Sequence, residues 1–238
     1  MRESPILFSA PMVRAILDGR KTVTRRIVKP QPDFVVPQAD SSKLPVVGKC
    51  TPDDEKHGRL AKSLWCPYGH VGDRLWVRET HMRVPHPAEF GFTKEMLPHT
   101  WDACCEVAGT FLYRADPCSD LVADGRQWTP SIHMPRAASR ITLEVTGVRV
   151  ERLQAITHEQ AVAEGVHRID IGSGYRPRYS AAQTTWQEVV EGTADAYEDA
   201  RLAFRDLWQS INGPGSWDAN PWVWAVEFKR IEQERKVA

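Results

Sequence analysis

The residues of this chain best equipped for chemistry are Gly19-Arg20-Lys21-Thr22-Val23-Thr24-Arg25-Arg26, where a lysine is followed three positions later by a hydroxyl and both are flanked by arginines. Acyl chemistry needs a nucleophile, a base to activate it and donors for the developing oxyanion. Thr24 supplies a hydroxyl. Lys21 serves as a base only when neutral, and the charges of Arg20, Arg25 and Arg26 push its pKa in that direction. Residues three apart on an extended strand face opposite sides, so Lys21 and Thr24 meet only where the segment turns or bulges. The same cations also suit the binding of an anionic or nucleotide-like ligand. Taken without a site, Lys21 reads as a cation near a helix C-terminus and Thr24 as an ordinary strand residue.

The positive charge is local. The 31 basic residues are balanced by 31 acidic ones and the pI is near 7.1, which argues against coating duplex nucleic acid but leaves room for a small basic pocket. At 238 residues and 42% apolar, the chain can bury a sizeable core, and a single elaborated domain is expected. Met1 to Phe8 lacks the apolar core of a leader, and no stretch approaches the roughly 18 apolar residues that cross a bilayer. A cytoplasmic protein with no membrane partner is expected. The five cysteines (Cys50, Cys66, Cys104, Cys105, Cys118) form no repeated Cys-x-x-Cys pattern and read as free thiols. Cys50, His57, Cys66 and His70 do not match paired metal-ligand spacing, so neither a metal nor a cofactor is expected.

Several elements must position the motif. Pro5 to Ser9 reads as a strand. Ser9 then caps a helix over Pro11–Asp18, with Met12, Val13, Ile16 and Leu17 on one face and Gly19 closing it. Leu75 to Glu79 and Thr110 to Arg114 read as strands. The β-branched run from Arg140 to Leu153 alternates to Val145, after which Gly147 shifts the phase, as a bulged strand or a hairpin would. Thr157 opens a short helix with Gln160 at the capping-box position, Ile156 and Ala161 as a hydrophobic staple and Gly165 just beyond its end. A helix is expected around Ala196 to Gln209, with Ala200, Phe204, Leu207 and Trp208 buried. Trp222 to Phe228 closes the chain as an apolar strand. Residues near 30–64, 85–108 and 167–193 read as insertions.

With those elements placed, the sequence resembles the ASCH family of the PUA-like superfamily. The hallmark Gly-x-Lys-x-x-(Glu or Thr)-x-Arg falls on Gly19, Lys21, Thr24 and Arg26, after the first helix. The chain as a whole looks like the longer ASCH proteins of tailed phages and prophages through Cys66-Pro67-Tyr68-Gly69, Gly72 to Glu79 and Trp128 to Arg140. The resemblance implies an α+β fold, an open β-barrel with flanking helices, in which Pro5–Ser9, Leu75–Glu79, Arg140–Leu153 and Trp222–Phe228 share one curved sheet.

The threonine version of the motif is similar to the N(4)-acetylcytidine amidohydrolases of that family. This implies a catalytic set of Lys21, Thr24 and Glu164, with Glu159 as the alternative acid. Glu164 closes its short helix, where the dipole raises a carboxyl pKa and suits a proton carrier. Arg20, Arg25 and Arg26 would hold substrate. Trp76, Arg78 and Glu79 would line the barrel mouth, and Trp128, Ser131, His133, Arg136 and Arg140 would form a lid that stacks on a base. Three readings remain open: deacetylation of an acetylated cytidine, non-catalytic binding of single-stranded RNA or a modified nucleoside, and ribonuclease action in the same pocket.

Overall fold

A computed structural model of the protein describes residues 1–36, 46–49, 62–83, 111–116, 127–172, 175–182 and 184–231. The segment expected as an insertion at 85–108, part of that at 30–64, and Cys50, His57, Cys104, Cys105 and Cys118 lie outside the described residues.

The fold is α+β. In chain order the elements are β1 (Glu3–Leu7), α1 (Ala10–Leu17), β2 (Val23–Ile27), β3 (Phe34–Val36), β4 (Val46–Lys49), β5 (Lys62–Leu64), β6 (Arg74–Arg78), β7 (His81–Arg83) and β8 (Phe111–Tyr113). There follow β9 (Thr142–Arg152), α2 (His158–Ala163), β10 (His167–Ile169), β11 (Arg178–Ser180), α3 (Trp186–Val190), α4 (Ala200–Asn212) and β12 (Trp222–Ile231). Five strands form one sheet in the order β1-β6-β9-β12-β2, and the four segments expected to share a sheet supply four of them. Smaller sheets are β3-β4-β5, β7-β8 and β10-β11. Among the described residues, no helix is long and apolar enough to cross a membrane.

The chain divides into two compact units. The first comprises residues 1–4, 15–75 and 143–231. Its core gathers Leu153, Ile156, Ala161, Val166, Tyr179, Ala200, Ala203, Phe204, Trp208 and Val223. Helix α2 forms as its sequence dictates. Thr157 and Gln160 complete a reciprocal capping box, Ile156 and Ala161 are both buried, and Gly165 takes a φ of 95°, a region open to glycine at little cost. Helix α4 starts at Ala200 rather than near Ala196. Tyr197 is held by reciprocal 2.8 Å backbone bonds to Tyr179, and the Asp199 side chain accepts from Arg201 N as N-cap. Strand β9 is one strand of 11 residues, not a hairpin. Leu143, Val145 and then Val148 are buried, so the inward phase slips at Gly147, where a Cβ would lie 2.6 Å from Glu227 Oε2. Within 167–193, β10 and β11 form an antiparallel hairpin that buries Ile169 and Tyr179.

The second unit comprises residues 5–14 and 76–142. Ile6, Phe8, Val13, Val77, Met82, Leu112, Met134, Ala138 and Ile141 are its main buried apolar side chains. Strands β7 and β8 pair antiparallel with Met82 opposite Leu112, and Ser139 Oγ donates to Val77 O at 2.8 Å.

Candidate functional site

In the first unit the motif docks against the C-terminal end of α2. Gly19 ends α1 at a φ of 72°. The chain then bonds outward: Lys21 N donates to Ala15 O at 2.9 Å and Thr22 N to Ala163 O at 2.9 Å. Lys21 is buried, and its Nζ donates to Glu164 Oε2 at 2.7 Å, to Glu164 O at 2.7 Å and to Val23 O at 2.8 Å. Three acceptors match the three protons of an ammonium. The last carbonyls of a helix lack intrahelical donors; here Thr22 N, Lys21 Nζ and Arg20 Nη1, the last 3.3 Å from Gly165 O, serve those of Ala163, Glu164 and Gly165. Gly165 makes the approach possible, since a Cβ there would sit 3.0 Å from Ala15 Cβ and 3.1 Å from Lys21 Cβ.

The other carboxylate oxygen of Glu164 belongs to Arg25. Arg25 Nη1 donates to Glu164 Oε1 at 3.1 Å, Nη2 to Gln160 Oε1 at 2.9 Å, and Nε and Nη2 to Glu151 Oε1 at 3.0 and 2.5 Å. Its side chain has no exposure. Gln160 Oε1 also accepts from Thr157 N at 3.0 Å, so the residue that starts α2 also steadies Arg25. Beyond Glu151 the series continues through Arg149, 3.8 Å away, to Glu227. Charges alternate along it from the buried Lys21 to the half-exposed Arg149 and Glu227. Burial pushes the Lys21 pKa below the usual lysine range; Glu164 opposes this by its charge and hydrogen bond, while Arg26 and Arg25 reinforce it.

Of the three residues expected to act together, the structure joins Lys21 and Glu164 directly. Thr24 is buried in β2, whose register on β12 is unbroken from Ile27↔Val223 to Val23↔Glu227. Alternation therefore places Thr24 and Arg26 on the face of β2 opposite Arg25. Lys21 and Thr22 precede the strand, and Lys21 Nζ binds the carbonyl of Val23, the peptide group leading into Thr24. Arg20 is partly exposed and pairs with Asp18 at 2.9 Å. Arg25, expected to touch substrate, is enclosed among protein oxygens. Glu159, the alternative acid, is exposed in the first turn of α2.

In the second unit, Glu79 is buried and held at both oxygens by Arg140, Nε to Oε1 at 2.9 Å and Nη2 to Oε2 at 3.0 Å. Arg140 also pairs with Asp116 at 2.7 Å and lies 3.9 Å over the Tyr113 ring. Burial pushes the Glu79 carboxyl up while Arg140 holds it down, and burial raises the Tyr113 phenol to about 12. Trp76 carries Arg78 at 5.4 Å and Arg136 at 5.9 Å from its ring centroid. Arg78 Nη2 donates to Ile132 O and Arg136 Nη2 to Thr142 Oγ1 at 3.3 Å. Trp128 is partly exposed and His133 exposed. The expected lid residues from 131 to 138 form two short 3-10 turns.

Sequence reasoning passed over Glu151 and the second role of Gln160. An available signal was Glu151 itself, an acid near the end of a β-branched run two residues from Arg149, because a charge on a covered sheet face needs a partner. Comparisons with protein-family models, with curated proteins and with solved structures find no match to this chain.

Proposed function

We propose that the protein is an ASCH-type amidohydrolase with a PUA-like open barrel, which removes the acetyl group from N(4)-acetylcytidine or a related modified pyrimidine nucleoside. The observation that carries the reading is the buried contact of 2.7 Å between Lys21 Nζ and Glu164 Oε2, beside the peptide group that leads into Thr24. Proton transfer within such a pair exchanges two buried charges for two neutral groups, and a low-dielectric site makes the neutral pair accessible.

The steps follow from that exchange. Lys21 gives a proton to Glu164 and becomes a neutral base. Lys21 Nζ then turns from Val23 O toward Thr24, whose Oγ1 attacks the acetyl carbon as Lys21 takes its proton. The C–N bond breaks while Glu164 returns its proton to the leaving amine, giving cytidine and an acetyl ester on Thr24. Water then attacks the ester, with Glu164 accepting its proton and Lys21 restoring the hydroxyl, and acetic acid leaves and gives its proton to solvent as acetate. The internal proton exchange resets the pair.

The test follows N(4)-acetylcytidine to cytidine by chromatography, with short single-stranded RNA run alongside. Wild type is expected to release cytidine, and Thr24→Val to lose turnover by orders of magnitude while keeping its circular dichroism and melting temperature. An inactive wild type that binds RNA with salt-sensitive affinity replaces this reading with the binding module. Chain cleavage without deacetylation replaces it with a ribonuclease.

A further inference from the structure

We infer that Arg25, braced by Glu151 and Gln160, is a positioning residue that fixes the Glu164 carboxylate for proton exchange with Lys21, and that Glu151 sets how far the charge of Arg25 is felt there. The inference rests on the deacetylase reading of the same pair. A carboxylate held at one oxygen by a flexible lysine can rotate about its terminal torsion, which is broad. Glu164 is held at both oxygens by different cations, Oε2 by Lys21 at 2.7 Å and Oε1 by Arg25 at 3.1 Å. Only one of these cations can give up its proton, since a guanidinium stays charged.

Arg25 is in turn fixed on its far side. Its Nε and Nη2 meet Glu151 Oε1, and Nη2 also meets Gln160 Oε1, so the planar fork cannot turn without losing bonds on two elements. Two buried cations around one carboxylate would leave excess positive charge, and Glu151 from β9 balances it. Glu151 is 18% exposed at its side chain, which puts the balancing charge toward the surface and the exchanging pair inside. The charged groups facing Lys21 are Glu164 from the end of α2 and Arg25 and Arg26 from β2, so removing the Glu151 charge acts on Lys21 through Arg25. With Arg25 less neutralised, the ammonium is disfavoured and Lys21 titrates at lower pH.

The experiment uses the full chain with lysine labelled at Cε. Lys21 is assigned by loss of its signal in Lys21→Met and titrated by NMR in wild type, Glu151→Gln and Glu151→Asp. The expected result is a downward shift of about half a pH unit or more in Glu151→Gln, with Glu151→Asp, which keeps the charge, close to wild type. In the deacetylation assay, the basic limb of the kcat profile moves with the titration in Glu151→Gln while KM changes less than about twofold. Arg25→Lys keeps the charge but not the fork, and loses about 10²-fold in kcat. A folded Glu151→Gln protein whose Lys21 titration and kcat profile do not move overturns the inference. A shifted titration in a protein without turnover overturns the deacetylase reading and supports the coupling.

Discussion

Glu164 in the first unit and Glu79 in the second are both buried carboxylates gripped by arginine, and they differ in what else holds the proton. Glu79 gives both oxygens to the single fork of Arg140. Neither the guanidinium nor the aromatic ring beneath it can release a proton near neutral pH, with the Tyr113 phenol raised to about 12, so this cluster is a lock. Glu164 divides its oxygens between Arg25 and Lys21. Burial favours the neutral amine there, so the same kind of carboxylate sits beside a cation that can exchange its proton. Replacing one arginine contact with a lysine sets a group with an exchangeable proton beside the carboxylate, which is what the proposed chemistry uses.

Removing the lock should have the largest effect on stability. Arg140→Met strands Glu79, whose side chain is 1% exposed, and loss of one partner of a buried pair costs about 3 kcal/mol. Urea unfolding of Arg140→Met with Glu79→Leu added should recover most of that loss, because an apolar pair leaves no stranded charge. If the double variant is as unstable as the single one, Glu79 does more than pair with Arg140. The same exchange applied to Lys21 and Glu164 should abolish turnover and recover less stability, because it also removes the acceptor of buried Arg25 Nη1 and the donor to the carbonyls of Val23 and Glu164, which separates the two carboxylates by function.

Gly165→Ala comes next. The substitution forces a side chain into a φ of 95° and brings a Cβ within 3.0 Å of Ala15 and 3.1 Å of Lys21. The backbone strain costs about 2 kcal/mol, read as a fall in melting temperature. Because the crowding falls on Lys21, turnover of N(4)-acetylcytidine should drop further than the stability loss accounts for. An equal alanine cost with full activity would mean that the Lys21 position is not set by its approach to α2.

The first unit was more legible than the second because its signals are local. Thr157, Gln160 and Gly165 announce α2 and its limits through the backbone bonding a helix end demands, whereas Glu164 as the partner of Lys21, 143 positions away, came only from the family resemblance. Gly147 announced the slip in β9 without deciding between a bulge and a hairpin. What could not be read was the pairing of Arg25 with Glu151, 126 positions apart in sequence, or of Arg140 with Glu79, 61 apart. Charge type alone does not distinguish an arginine that meets substrate from one enclosed by carboxylates. Thr24 lies in β2, the strand of the sheet that was not among the expected segments, and its face depends on where that strand begins.

Asp199 offers the smallest effect and the clearest contrast, an acid at the helix end that braces the first unit from outside its buried pair. It caps α4 by accepting from Arg201 N at 2.9 Å and meets His158, at the start of α2, at 3.2 Å. Its hydrogen bonds with Arg201 hold its carboxyl down at about 2, below the ordinary Asp value near 3.9. A depressed acid stabilises the fold above its unfolded pKa, and that contribution is lost as pH falls through the folded value. Asp199→Ala should therefore cost about 1 kcal/mol at neutral pH. The difference from wild type should narrow between about pH 4 and pH 2. Asp199→Asn keeps a capping oxygen without the charge, so its cost at neutral pH should be smaller and should vanish across that window as wild type loses the same charge. A wild-type advantage over Asp199→Ala that persists below pH 2 would mean the residue works as a neutral cap. The hold on α2 through His158 would then not depend on charge, unlike the hold of Arg25 on Glu164.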